Sequence, residues 1–249
     1  MEAEAERRPA FYALRPGGWR DLVTLLHPPY TLWHLSNLAI GAAAASQIHA
    51  SRLGAALAAF FLAVGVGAHS LDELHGRPLG TRLSRRALLV LATVGLGGAL
   101  GIGVAGVLVV STTLAPLVLT GVFLVLAYNL ELFGGRFHTD FWFAAAWGAF
   151  PALTGWWSNA LALHSPRQAI AATTAVLACY WLSVAQRRLS TPVRELRRRT
   201  EAVVGEQRLA DGTARLLDRA GLAAPLDGAL RALSVAVPLL AIAAIALRL

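Results

Sequence analysis

Charge is what this 249-residue chain has least of: 14% of its residues are charged, against about 25% in soluble domains. With 56% hydrophobic residues and a mean hydropathy of +0.57, an ordinary soluble domain is excluded and a membrane protein is indicated. Lysine is missing altogether, so all 22 basic residues are arginine. Alongside so much alanine, leucine and glycine, that absence reads as a GC-rich genome and carries no functional weight. The single cysteine, Cys179, lies in an apolar run and has no partner for an internal disulfide. The opening Met1-Glu-Ala-Glu-Ala-Glu-Arg-Arg8 has no apolar core beside it, so no cleaved signal peptide is expected.

What the chain does have is apolar length. A membrane span needs about 20 mostly apolar residues, and seven runs answer to that rule. They are Tyr30–Gln47, Leu53–Leu71, Ala87–Val109, Thr113–Leu130, Phe141–Leu163, Ala169–Ala185 and Gly228–Leu247. Alternating the connections between two faces places 19 arginines on one and three (Arg52, Arg167, Arg248) on the other. That bias puts the N-terminus and the loop after the second run in the cytoplasm. The expectation is an integral protein of a bacterial plasma membrane, all-α, a bundle of about seven transmembrane helices. It would comprise a cytoplasmic tail over residues 1–29 and a helical domain over 30–249. The net charge of +8 then orients the chain against anionic headgroups of the membrane lipids, and no nucleic acid is needed to explain it.

Glycine is concentrated in the third run, where Gly101-Ile-Gly103-Val-Ala-Gly106 matches a dinucleotide fingerprint letter for letter. Inside a membrane, with no strand before it, the match is chance. Glycines four apart, such as Gly97 and Gly101, read as close helix contacts. The polar stretch from about residue 187 to 224 pairs an apolar recurrence (Val193, Leu196, Val203) with many arginines. It predicts an amphipathic helix along the cytoplasmic surface, with Thr191-Pro192 in its first turn.

The chemistry-bearing stretch is Ala68-His-Ser-Leu-Asp-Glu-Leu-His-Gly-Arg-Pro-Leu-Gly-Thr-Arg-Leu-Ser-Arg-Arg-Ala-Leu88. Ionisable groups at the mouth of a membrane bundle are costly to hold and mark a functional site by default. The order Asp72, Arg77-Pro78, Ser84, Ala87-Leu88 resembles the first signature loop of the UbiA superfamily of intramembrane prenyltransferases. His27-Pro-Pro-Tyr-Thr-Leu-Trp-His-Leu-Ser-Asn-Leu-Ala-Ile-Gly41 is similar to the approach to the first helix in its menaquinone-type branch. Tyr128 and Trp147-Gly-Ala-Phe-Pro151 are similar to its fourth-to-fifth-helix region.

That resemblance implies a UbiA-like bundle, an isoprenyl diphosphate donor, a lipophilic acceptor and Mg²⁺. It implies Asp72 and Arg77 as catalytic residues, with Asp72 a metal ligand and Arg77 on phosphate; Glu73 is the second candidate metal ligand. Asn37, His69, Arg77, Arg82, Tyr128 and Asn129 are the candidate substrate-binding residues. His69 stands where the family has its first Asp, and Ala68 where it has Asn. The family's second Asp-rich motif corresponds to Gln186–Arg199, which holds no aspartate. Arg187, Arg188 and Arg194 offer guanidiniums in place of a second metal, since their forks suit phosphate oxygens. The leading expectation is prenyl transfer; a non-enzymatic isoprenoid or lipid binder, and a UbiA-like cyclase or lyase, stand beside it.

Overall fold

A computed structural model describes residues 9–248; Met1–Arg8 lies outside the described residues. About 74% of the described residues are helical, as the apolar runs require, because a backbone in lipid must satisfy its own hydrogen bonds. A short helix, α1 (Trp19–Leu25), leads into α2 (Pro28–Ala43). Next come α3 (Ala50–Leu74), α4 (Arg85–Val109) and α5 (Thr112–Asn129). α6 occupies 140–160, α7 is Pro166–Arg198 and α8 is Arg219–Ala246. Ser84, Ser165 and Asp218 cap α4, α7 and α8, each side chain accepting a backbone N–H of the first turn.

Five of these helices, α3, α4, α5, α7 and α8, are long and apolar enough to cross a membrane. The other two apolar runs became α2 and α6, which pack against each other. α2 has 16 residues, about 24 Å at 1.5 Å per residue. Its crossing with α6 is set by glycine. A Cβ built on Gly41 would lie 1.9 Å from the Ala152 carbonyl oxygen, and one on Gly155 would lie 1.9 Å from that of Leu38. The two backbones touch, as small residues allow in lipid.

Two helices contain a wide π turn, Phe61–Ala68 in α3 and Ala145–Ala149 in α6. In α6, Pro151 has no N–H to give the carbonyl four residues back, that of Trp147. His34 (Nδ1, 2.8 Å) and Asn37 (Nδ2, 3.1 Å) reach that carbonyl from α2 instead. Asn37, an expected substrate-binding residue, is fully buried there and does not line the polar cavity described below. Its amide ties two helices together.

The helices alternate in direction. At one end the His49 N–H donates to Asn159 Oδ1 (2.8 Å), and Arg248 donates to the carbonyls of Ala45 and Ser46 (2.7 Å each). The opposite end gathers residues 9–18, the α3–α4 loop, the α5–α6 loop and the α7–α8 connection. Asp21, buried on α1, accepts the N–H groups of Gly17 (3.0 Å) and Arg82 (3.2 Å) and so fastens the N-terminal segment to the α3–α4 loop.

The surface helix expected over 187–224 does not form. α7 continues through Pro192 to Arg198. Gln186, Ser190 and Val193 are buried at spacings of four and three, and that burial against the bundle carries the helix past the membrane-like run. Beyond α7 lies a two-stranded antiparallel hairpin, Glu206–Arg208 with Ala214–Leu216. Its turn uses Gly212 at a φ of 86° and the Asp211 carboxylate, which accepts from the Thr213 N–H (2.9 Å).

Candidate functional site

At the end where the loops gather, a polar cavity of about 360 Å³ opens between α2, α3, α5, α7 and the N-terminal segment. Below it an apolar groove of about 450 Å³ runs between α3, α4, α5 and α6. Exposed Leu100 and Val122 stand at the groove's edge, so it reaches the lipid-facing surface. The polar cavity and the apolar groove share Val64 and Trp147. Each of these comes from a π turn, a feature that recurs at functional sites. The wide turns bring the junction residues to face each other and set the register of the rest of α3.

Of the residues singled out from the sequence, His69, Asp72, Tyr128 and Asn129 line the polar cavity together. His69 stacks on the His27 ring, with centroids 4.0 Å apart and planes 16° apart, while its Nδ1 lies 3.3 Å from the Gly65 carbonyl oxygen. Tyr128 stacks on His138 at 4.4 Å. Asn129 donates to the Val125 carbonyl (2.7 Å), which holds its amide against α5.

Three others do not join them. Glu73 is fully buried and faces the α3–α4 loop. One oxygen accepts the Leu79 N–H (3.0 Å); the other accepts the N–H (2.8 Å) and hydroxyl (2.9 Å) of Thr81. A carboxylate so engaged is a staple for the loop and, unlike Asp72, is not turned to the cavity where a metal ligand is expected. Arg77, at a φ of 48°, turns onto its own loop and donates to the carbonyls of Thr81 (3.0 Å) and Leu83 (2.8 Å). It braces the loop and does not line the cavity where its role on phosphate is expected. Arg82 is exposed and meets the site only through its backbone bond to Asp21.

The cations of the cavity come from α7. Arg187, Arg194 and Arg198 line it, whereas Arg188 is exposed and does not. Arg187 is paired with Asp140 at 2.8 Å, next to Thr139, whose side chain caps α6. Arg198 and Tyr12 are site residues that the sequence reading does not single out, and His27 and Tyr30 enter it only within the His27–Gly41 stretch. The spacing of Arg187, Arg194 and Arg198 by seven and four is the available signal, since it sets all three on one helical face.

For Mg²⁺ the donors fit poorly. The cation prefers oxygen ligands, yet the signature stretch turns one carboxylate, Asp72, to the cavity. Glu73 is turned to the loop by three hydrogen bonds, and the histidines offer nitrogen. Among the described residues no cluster of three or more His, Cys, Asp or Glu side chains is placed to hold a metal ion.

The N-terminal segment closes the mouth. Tyr12 Oη lies 2.8 Å from His27 Nδ1, and burial raises the phenol well above its ordinary value, with Tyr30 adding to the effect. Burial also holds the His27 imidazole well below the usual histidine range, reinforced by His69, Arg198, His34 and Arg194. The unfolded chain protonates this ring near pH 6.5, whereas the folded chain resists it until lower pH. Below about pH 6.5 the unfolded state therefore binds more protons, and acidification costs stability. His27→Gln should flatten the fall of melting temperature between about pH 7 and pH 5 in detergent. An unchanged slope would remove His27 from the account.

Comparison with known proteins adds no identity. No known protein family, curated protein or solved structure matches this chain.

Proposed function

We propose that the chain is an intramembrane transferase moving the isoprenyl group of an isoprenyl diphosphate to a lipophilic acceptor. In this reading all seven apolar runs cross the membrane in a UbiA-like bundle, and the polar cavity opens to the cytoplasm. The observation that carries it is the junction: a cationic chamber and an apolar groove meet at Val64 and Trp147. That shape suits an amphiphile with an anionic head and a long apolar tail.

In the reaction the allylic C–O bond breaks and the diphosphate leaves with the electron pair. The acceptor's nucleophilic atom bonds to the allylic carbon and gives up a proton. The α7 guanidiniums oppose the charge developing on the leaving group. The Trp147 and Tyr128 rings, 5.5 Å apart beside the junction, present π faces to the allylic cation. The groove keeps water from it.

Purified protein in detergent, given geranyl, farnesyl and geranylgeranyl diphosphates with a membrane lipid extract, should release inorganic diphosphate. Val64→Phe, which narrows the junction, should cut release by about tenfold or more while leaving binding of inorganic diphosphate intact. Binding without release at every chain length would favour a second reading, an isoprenoid or lipid carrier. The engagement of Glu73 and Arg77 by the loop is the observation on that side.

A further inference from the structure

We infer that the cavity holds a phosphate or diphosphate headgroup directly on a guanidinium cradle of α7, without a bridging divalent cation. This rests on the reading of the cavity as a headgroup site and says how that headgroup is bound.

The cradle is visible in how the arginines of α7 are neutralised. Arg197, one position off the cavity-facing row, meets Asp227 of α8 in an ion pair buried on both sides. Arg187 has Asp140. Arg194 has neither kind of partner: its hydrogen bond goes to the Thr191 hydroxyl (3.3 Å), and no carboxylate lies within ion-pair distance among the described residues. Arg198, at the mouth, donates to the Pro9 carbonyl at 3.4 Å and likewise has no carboxylate among the described residues.

Two guanidiniums thus face one chamber without an ion-pair partner among the described residues; for the half-buried Arg194 that is costly unless an anion completes it, while Arg198 stands exposed at the mouth. On the opposite wall the only carboxylate from the signature stretch is Asp72. The two unpaired guanidinium forks can offset about two phosphate charges with directed hydrogen bonds, and Arg187, though paired with Asp140, adds donors at the same wall. Of the other carboxylates lining the cavity, Glu131 lies 3.7 Å from His138 and Asp227 is paired with Arg197, so a metal bridge would have Asp72 as its one carboxylate without an ion pair among the described residues.

The sign of one substitution separates the two arrangements. If a cation bridges Asp72 to phosphate, Asp72→Asn destroys the bridge. If the phosphate rests on arginines, Asp72 is a like charge across the cavity, and its removal helps. Isothermal titration of the full-length protein in detergent with inorganic diphosphate, in EDTA and then in Mg²⁺, reads the difference. Affinity in EDTA should be within about threefold of that in Mg²⁺. Arg194→Gln and Arg198→Gln should each weaken binding about tenfold or more, and Asp72→Asn should tighten it. Melting temperatures of the three variants separate lost binding from lost folding.

Binding that needs Mg²⁺ and vanishes in Asp72→Asn would overturn the metal-free cradle and leave the proposed function standing. Binding unaffected by either arginine variant would overturn the cradle alone. No binding by the folded wild-type protein in either buffer would remove the phosphate headgroup itself, and the inference with it.

Discussion

Gly155→Val is expected to leave no folded protein, and Gly155→Ala is expected to cost about 3 kcal/mol or more. Even the alanine Cβ would sit 1.9 Å from the Leu38 carbonyl oxygen and 3.1 Å from the Ala42 nitrogen. Those atoms are backbone and cannot swing aside, so α2 and α6 must separate. Separation would break the bonds from His34 and Asn37 to the Trp147 carbonyl and disturb the junction of the two chambers. Gly41→Ala should behave alike, as its Cβ meets the Ala152 carbonyl at the same distance. Gly54→Ala is the control: that Cβ meets nothing within 4 Å, and alanine favours a helix over glycine by up to about 1 kcal/mol. Thermal unfolding in one detergent should show opposite signs for Gly54 and Gly155. Equal effects would mean that α2 and α6 do not hold their backbones in contact.

Glu73→Ala should destabilise the protein by about 2–5 kcal/mol, because buried donors on Leu79 and Thr81 lose their acceptor together. Arg77→Ala should cost less, since its partners are carbonyls of a partly exposed loop. Glu73→Gln keeps one acceptor and should fall between wild type and Glu73→Ala. Excess Mg²⁺ should raise none of the melting temperatures selectively. A wild-type protein stabilised by Mg²⁺, with Glu73→Ala losing that gain, would return Glu73 to the role of ligand.

The membrane class, the helical content and the end of the bundle that holds the polar residues are all legible in the sequence. Composition and apolar length set the first two, and the Ala68–Leu88 stretch marks the third. The assignment of neighbouring side chains is not legible. Asp72 and Glu73 are adjacent on a helix, about 100° apart, so one of them faces the cavity and the other faces away. Which one depends on the register of α3, and the π turn at Phe61–Ala68 shifts that register without a residue pattern to announce it. The partner of His34 and Asn37 is hidden for another reason. It is a backbone carbonyl more than a hundred residues away, left without an α-helical donor because Pro151 stands four residues beyond it. The α7 row lies within a stretch that reads as a surface helix, and its continuity with the span shows only in the burial of Gln186, Ser190 and Val193.

The opening of the apolar groove beside Leu100 and Val122 determines which concentration would govern its occupancy by the amphiphile proposed above. A tail that enters there arrives by lateral diffusion from the surrounding lipid, so the bulk aqueous concentration is the wrong variable. Occupancy tracks the mole fraction of the amphiphile in the lipid or micelle phase. Adding inert detergent at fixed total ligand then empties the groove by surface dilution, and affinities measured in different micelles are comparable only on that two-dimensional scale.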